Sequence, residues 1–206
     1  MIAEDLLDLA PVIPVVVLDD ADAAVPLARA LVEGGLPVIE VTLRTSSALE
    51  AIARIAAEVP DAVVGAGTVV RPEDAERSAA AGARFLVSPG CTSRLRAAMV
   101  ATGLPFLPGV ATASEAIALL EAGITAMKFF PAEAAGGTAY LKSLGGPLPQ
   151  IRFCPTGGIG PRNAADYLAL ANVGCVGGSW LTPADAVRNG DWKLIRDLAS
   201  EAASLR

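Results

Sequence analysis

The feature that most constrains this chain is an alternation of short, β-branched, almost wholly apolar runs with Ala/Leu-rich segments of helical period. The runs are VIPVVVL from Val12, PVIEVTL from Pro37, AVVGAGT from Ala62, RFLVSPG from Arg84, PFLPGV from Pro105, AMKFFPA from Ala126, IRFCPTG from Ile151 and VGCVGGS from Val173. They lack polar alternation, so each strand is covered on both faces, as in a parallel sheet with helices packed against it. Helix-start signals such as Pro72-Glu73-Asp74, Ala113-Ser114-Glu115 and Pro161-Arg162-Asn163 stand between most of them. Eight β and α units about 20 to 25 residues apart predict one α/β domain over residues 1–206, a single (β/α)8 barrel. An open, doubly wound sheet is the alternative. Residues 2–9 read as a short extra helix before the first strand, and residues 191–206 as the closing one. No Gly/Ser-rich tract marks a second domain.

Charge and composition narrow the function. The net charge is −6 and the 16 basic residues are scattered, so no nucleic-acid or anionic-membrane partner is expected. The N-terminal MIAEDLLDLA has no basic leader, and no apolar run approaches the length of a membrane span, which predicts a cytoplasmic protein. Cys91, Cys154 and Cys175 are far apart and odd in number, as suits reduced, buried thiols. With no histidine, the commonest general base and the commonest zinc ligand are both missing. Chemistry must therefore come from Lys, Arg, Glu, Asp, Ser, Thr, Tyr or the backbone. Only 18% of residues are charged, below the usual quarter or so, and part of the apolar excess is expected to cover a subunit interface.

In a barrel the C-terminal ends of the strands form the active site, which gives weight to polar residues there. Glu40, Thr42 and Arg44 alternate along the second run and would share a face. Lys128 is one of three lysines and sits between Met127 and Phe129-Phe130 in an apolar strand. A lysine removed from water gives up its proton more readily, which is what an imine-forming amine needs. The competing reading is a structural ion pair, with Glu40 or Glu133 as partner. Arg44 would reach the barrel mouth, where a guanidinium can grip a carboxylate in bidentate fashion, or would be an ordinary surface arginine. The glycine pairs Gly157-Gly158 and Gly177-Gly178, with Ser179, stand where many barrels hold phosphate on backbone N–H groups; glycines there also simply make tight turns. Gly65-Ala66-Gly67 is not a dinucleotide fingerprint, since Val70 occupies the third glycine position.

Taken together, VIEVTLRT (Val38 to Thr45), GAGTV (Gly65 to Val69), SPG (Ser88 to Gly90), MKFFPAE (Met127 to Glu133), RFCPTGGI (Arg152 to Ile159) and GGSWL (Gly177 to Leu181) closely resemble the class I 2-keto-3-deoxy-6-phosphogluconate aldolases. The resemblance runs over essentially the whole chain. It implies a trimeric (β/α)8 barrel, a cytoplasmic location, a small-molecule substrate, and no metal or other cofactor. It makes Lys128 the Schiff-base lysine and Glu40 the general acid/base. Arg44 and Thr68 would hold the pyruvate carboxylate, Pro89 would line the substrate site, and Thr156 would touch the substrate's hydroxyl region. Gly157, Gly158, Gly178 and Ser179 would line the phosphate site. The family pattern is broken at Ala135, where asparagine is frequent, and at Cys91, where leucine is common; neither carries a proposed catalytic group. The implied reaction is cleavage to pyruvate and glyceraldehyde 3-phosphate, with side activity on 4-hydroxy-2-oxoglutarate and oxaloacetate. The alternatives are action on the galactonate epimer, another phosphate-binding barrel isomerase or epimerase, and a catalytically silent sugar-phosphate binder.

Overall fold

The structure, a computed structural model, describes residues 2–205; Met1 and Arg206, at the ends of the expected domain and closing helix, lie outside the described residues. A one-turn helix α1 (Ala3–Leu6), shorter than expected, precedes the strands β1 (Val12–Val16), β2 (Val38–Thr42), β3 (Val63–Gly67), β4 (Leu86–Val87), β5 (Phe106–Leu107), β6 (Gly109–Val110), β7 (Ala126–Phe129), β8 (Arg152–Pro155) and β9 (Val176–Gly178). Between and after them run α2 (Ala24–Glu33), α3 (Ala48–Glu58), α4 (Pro72–Ala80), α5 (Ser93–Ala101), α6 (Ala113–Leu120), α7 (Gly137–Gly145), α8 (Ala164–Leu168), α9 (Ala184–Asn189) and α10 (Trp192–Ala203). All the strand pairings are parallel. They form a six-stranded sheet in the order β5-β4-β3-β2-β1-β9 and a three-stranded sheet in the order β6-β7-β8.

Every run expected as a strand is one, except that the fifth is split into β5 and β6 at Pro108. Proline has no N–H to give a ladder. Its carbonyl accepts from the Lys128 N–H at 3.0 Å, while the next N–H, that of Gly109, is diverted to Ser88 Oγ at 3.3 Å. The parallel sheet curls, and its two parts meet at this break and at the isolated parallel bridges Phe153–Val173 and Thr156–Gly177.

Two apolar layers follow from the curl. The larger lies between strands and helices. The smaller is lined from within by Ile13, Val38, Val87, Leu107, Ala126 and Cys154, and is plugged by Leu6 and Leu7, both fully buried. Arg152 fastens the plug from outside with two hydrogen bonds to Asp8, at 2.9 and 2.7 Å, and Thr125 donates to Glu4. The exposed Arg152–Asp8 pair is worth at most about 1 kcal/mol; burying each leucine contributes roughly 1.5–3 kcal/mol. Side chains alternate along a strand, so Glu40 lies on the same face as Val38 and Lys128 on the same face as Ala126. Above the dry layer the interior is therefore ready to hold charge.

Candidate active site

Lys128 Nζ lies 3.1 Å from Glu40 Oε1 and 3.4 Å from Oε2, although 88 residues separate the two in the chain. Their side chains are only 7% and 4% exposed, so this is a buried ion pair. Such a pair adds little net stability because desolvation offsets the attraction, whereas removing one partner strands the other at a cost of about 3–5 kcal/mol. Its presence therefore points to use rather than to cohesion. The Phe130 ring lies under the ammonium, 5.6 Å from Nζ to the ring centre. Glu133, the other carboxylate considered for Lys128, instead accepts a hydrogen bond from Tyr167.

Room for the Glu40 carboxylate comes from Gly67, because a methyl group there would fall on Oε1 and Cγ of Glu40. Gly65 does the same for the Phe85 ring. The Gly-Ala-Gly segment is thus a strand with two side chains laid across it. Immediately after it Thr68 has φ +58°, a left-handed conformation that a β-branched residue adopts only under constraint. Its Oγ1 accepts from Arg44 Nε at 3.4 Å. Arg44 does not continue the alternation of Glu40 and Thr42: β2 ends at Thr42, whose Oγ1 donates to Val16 O at 3.0 Å, and Arg44 stands exposed in the following turn. Pro89 follows β4, and its carbonyl is pressed against Gly109, the register partner of Lys128.

Thr156 directly follows β8 and is buried, yet among the described residues its Oγ1 has no hydrogen-bond partner, and it rests against Gly177. An unpaired buried hydroxyl costs about 1–3 kcal/mol, which a ligand able to bond it recovers. Gly157 and Gly158 follow with φ +104° and +78°. Gly178, at the end of β9, faces the Trp180 ring so closely that no side chain fits, and Ser179 is exposed beyond it. All of the expected site residues therefore lie at or just past the C-terminal ends of strands, apart from Glu40 and Lys128, which project from within them.

The sequence did not reveal the bond from the Gly109 N–H to Ser88 Oγ, although Ser88 stood in the SPG motif, or the support of the Gly157-Gly158 loop by Glu133, Asn163 and Tyr167. Only Asn163 carried a local signal, as part of a helix start. A cavity of about 380 Å³ lined by Leu18, Asp20, Ala184 and Trp192 lies apart from the Lys128–Glu40 pair. Among the described residues no three His, Cys, Asp or Glu side chains are grouped to hold a metal ion, and no helix is long and apolar enough to cross a membrane.

A buried amine held against a carboxylate at the open end of curled parallel strands defines an α/β enzyme that attacks a carbonyl through lysine. The family model for KDPG and KHG aldolases matches residues 3–198. The KHG/KDPG aldolase of Escherichia coli (strain K12) is 52% identical over 200 residues, covering 97% of this chain and 94% of the relative. Among solved structures, the KDPG aldolase of Legionella pneumophila, with pyruvate captured at low pH as a covalent carbinolamine intermediate, superposes with a TM-score of 0.96. It is 45% identical over 98% of each chain. The 2-keto-3-deoxy-6-phosphogluconate aldolase of Zymomonas mobilis ZM4, with 3-phosphoglycerate, gives 0.93 at 48% identity over 99% of this chain and 96% of that one. The chain belongs to the KDPG and KHG aldolase family.

Proposed function

We propose that this protein reversibly cleaves 2-dehydro-3-deoxy-6-phosphogluconate to pyruvate and glyceraldehyde 3-phosphate through an imine on Lys128. The buried Lys128–Glu40 pair carries the reading. Glu40 takes a proton from the Lys128 ammonium, and the freed amine attacks C2 of the substrate. The carboxyl returns the proton to the carbinolamine oxygen, which leaves as water, and a protonated imine remains. Glu40, again a carboxylate, takes the C4 hydroxyl proton as the C3–C4 bond breaks; the electron pair of that bond flows into the imine, and glyceraldehyde 3-phosphate departs. Glu40 gives that proton to C3 of the enamine, and hydrolysis of the resulting imine releases pyruvate and restores Lys128.

Arg44 and Thr68 grip the pyruvate carboxylate, with Pro89 lining that side. Thr156 meets the substrate hydroxyls with its unpaired Oγ1, and Gly157, Gly158, Gly178 and Ser179 take the phosphate on backbone N–H groups. The pyruvate carbinolamine of the Legionella neighbour and the 3-phosphoglycerate of the Zymomonas neighbour support the two halves of this substrate. The same enamine chemistry extends to 4-hydroxy-2-oxoglutarate, in keeping with the dual name of the Escherichia coli relative, and to oxaloacetate decarboxylation. In the same reading the chain is one domain, with β5 and β6 counted as a single broken strand of a (β/α)8 barrel. It acts in the cytoplasm, without a metal, as a trimer; the exposed Val100 of α5 and Ile117 of α6 supply apolar surface for the subunit contact.

Borohydride reduction with pyruvate, followed by peptide mass spectrometry, tests the proposal. The expected result is a pyruvate-derived adduct on Lys128, absent in Lys128→Arg, whose turnover falls by about a thousandfold or more. An unmodified lysine, or a Lys128→Arg variant that still turns over, sinks the imine route.

A further inference from the structure

The loop between β8 and α8 is held from both sides in a way that ordinary turn-making does not require. Three successive carbonyls are taken by the protein. Thr156 O accepts from the Ala132 N–H at 2.8 Å, Gly157 O from the Glu133 N–H at 3.1 Å, and Gly158 O from Asn163 Nδ2 at 3.1 Å. In a trans peptide the N–H points opposite to the C=O. Those three bonds therefore aim the N–H groups of Gly157, Gly158 and Ile159 the other way, and none of the three donates to another group among the described residues. Asn163 Oδ1 closes the loop by accepting from the Gly160 N–H at 2.9 Å. Beyond lies a cavity of about 300 Å³ lined by residues 158–163.

Glu133 complicates this arrangement. Its Cγ covers Gly158 so closely that a side-chain carbon added to the glycine would lie 2.5 Å away, which sets a carboxylate beside donors suited to an anion. The carboxylate is turned aside by the hydroxyl of Tyr167, a fully buried residue of α8, which donates to Glu133 Oε1. Burial, with the bond to Glu133 and its charge adding, holds the Tyr167 hydroxyl well above the usual phenol range, so it keeps the proton it donates.

On the reading that this loop is the phosphate subsite, we propose that Tyr167 is a positioning residue for substrate phosphate: by holding the Glu133 carboxylate away, it keeps negative charge off the Gly157-Gly158-Ile159 donors. This sets the preference for phosphorylated over unphosphorylated substrate without contact with the reacting carbons.

Steady-state kinetics of the full chain on 2-dehydro-3-deoxy-6-phosphogluconate and on its unphosphorylated counterpart test the assignment. Tyr167→Phe should raise KM for the phosphorylated substrate by about tenfold, with kcat and the unphosphorylated reaction little changed. Because the harm comes from a freed charge, the double variant Tyr167→Phe/Glu133→Gln should restore most of that KM, which a merely structural tyrosine would not allow. Asn163→Ala, which leaves the buried tyrosine intact, should show the same split between substrates if Tyr167→Phe fails to fold. An unchanged KM, an equal rise for both substrates, or no rescue by Glu133→Gln overturns the assignment. A wild-type enzyme that traps pyruvate but does not distinguish the two substrates overturns the phosphate subsite and this role together. Failure to trap pyruvate at all sinks the aldolase reading itself.

Discussion

At the scale of single residues the site depends on what a glycine leaves out. Gly67 has no side chain, and the Glu40 carboxylate occupies the space that one would fill. The obstructing atoms belong to the far end of a flexible side chain, so Gly67→Ala should fold, but with Glu40 pushed away from Lys128 Nζ. A misplacement of about 1 Å at a reacting group can cost about a hundredfold in rate. We expect kcat to fall by about that factor while the far-ultraviolet circular dichroism stays that of the parent. Full activity in Gly67→Ala would mean that the carboxylate need not sit where it does.

At the scale of elements, helix α6 illustrates how one start signal is built and how it responds to pH. Thr112 Oγ1 accepts from the Glu115 N–H at 3.3 Å, and the Glu115 carboxylate accepts from the N–H groups of Ala111 and Thr112 at 2.8 and 2.9 Å. This reciprocal cap satisfies donors that the helix cannot. The Ala111 N–H, chiefly, with further help from Thr112, holds the Glu115 carboxyl below the usual glutamate range. A group whose folded value is lowered stabilises above its unfolded value, and that contribution disappears as the pH falls through the folded one. Glu115→Gln should therefore cost up to about 1 kcal/mol near neutrality, less for its exposure. The difference from the parent should shrink in acid below the ordinary glutamate range. Urea midpoints at neutral and acidic pH check this; a constant difference would mean that the charge of Glu115 is not what caps α6.

For the whole molecule, the curled sheet has an apolar end and a chemical end. Leu7 plugs the former among Ile13, Val38, Leu107 and Ala126, and its Cβ is the nearest atom to any side chain added at Gly174. Leu7→Ala should lower the unfolding free energy by about 2–5 kcal/mol, read from denaturant titration, through lost burial and the cavity left behind. The kcat of the folded fraction should hold, because Lys128 and Glu40 lie in the next layer toward the open end. A variant that loses rate but not stability would show that the two ends are coupled.

Much of this was legible in the sequence because it is local. Continuous apolar runs require cover on both faces, so the parallel strands and intervening helices could be read from period alone, and a lysine inside such a run announced unusual chemistry. The break at Pro108 was visible only as a proline; that the Gly109 N–H turns to Ser88 depends on a residue 21 positions away, just past the end of β4. Strand period by itself left both Glu40 and Glu133 open as partners for Lys128, and only the family resemblance pointed to Glu40. Tertiary structure chose Glu40 because curling brings the face of β2 opposite that of β7, while the turn after β7 carries Glu133 outward to Tyr167. Side-chain period fixes which face a residue takes, but only closure of strands far apart in the chain decides what that face meets.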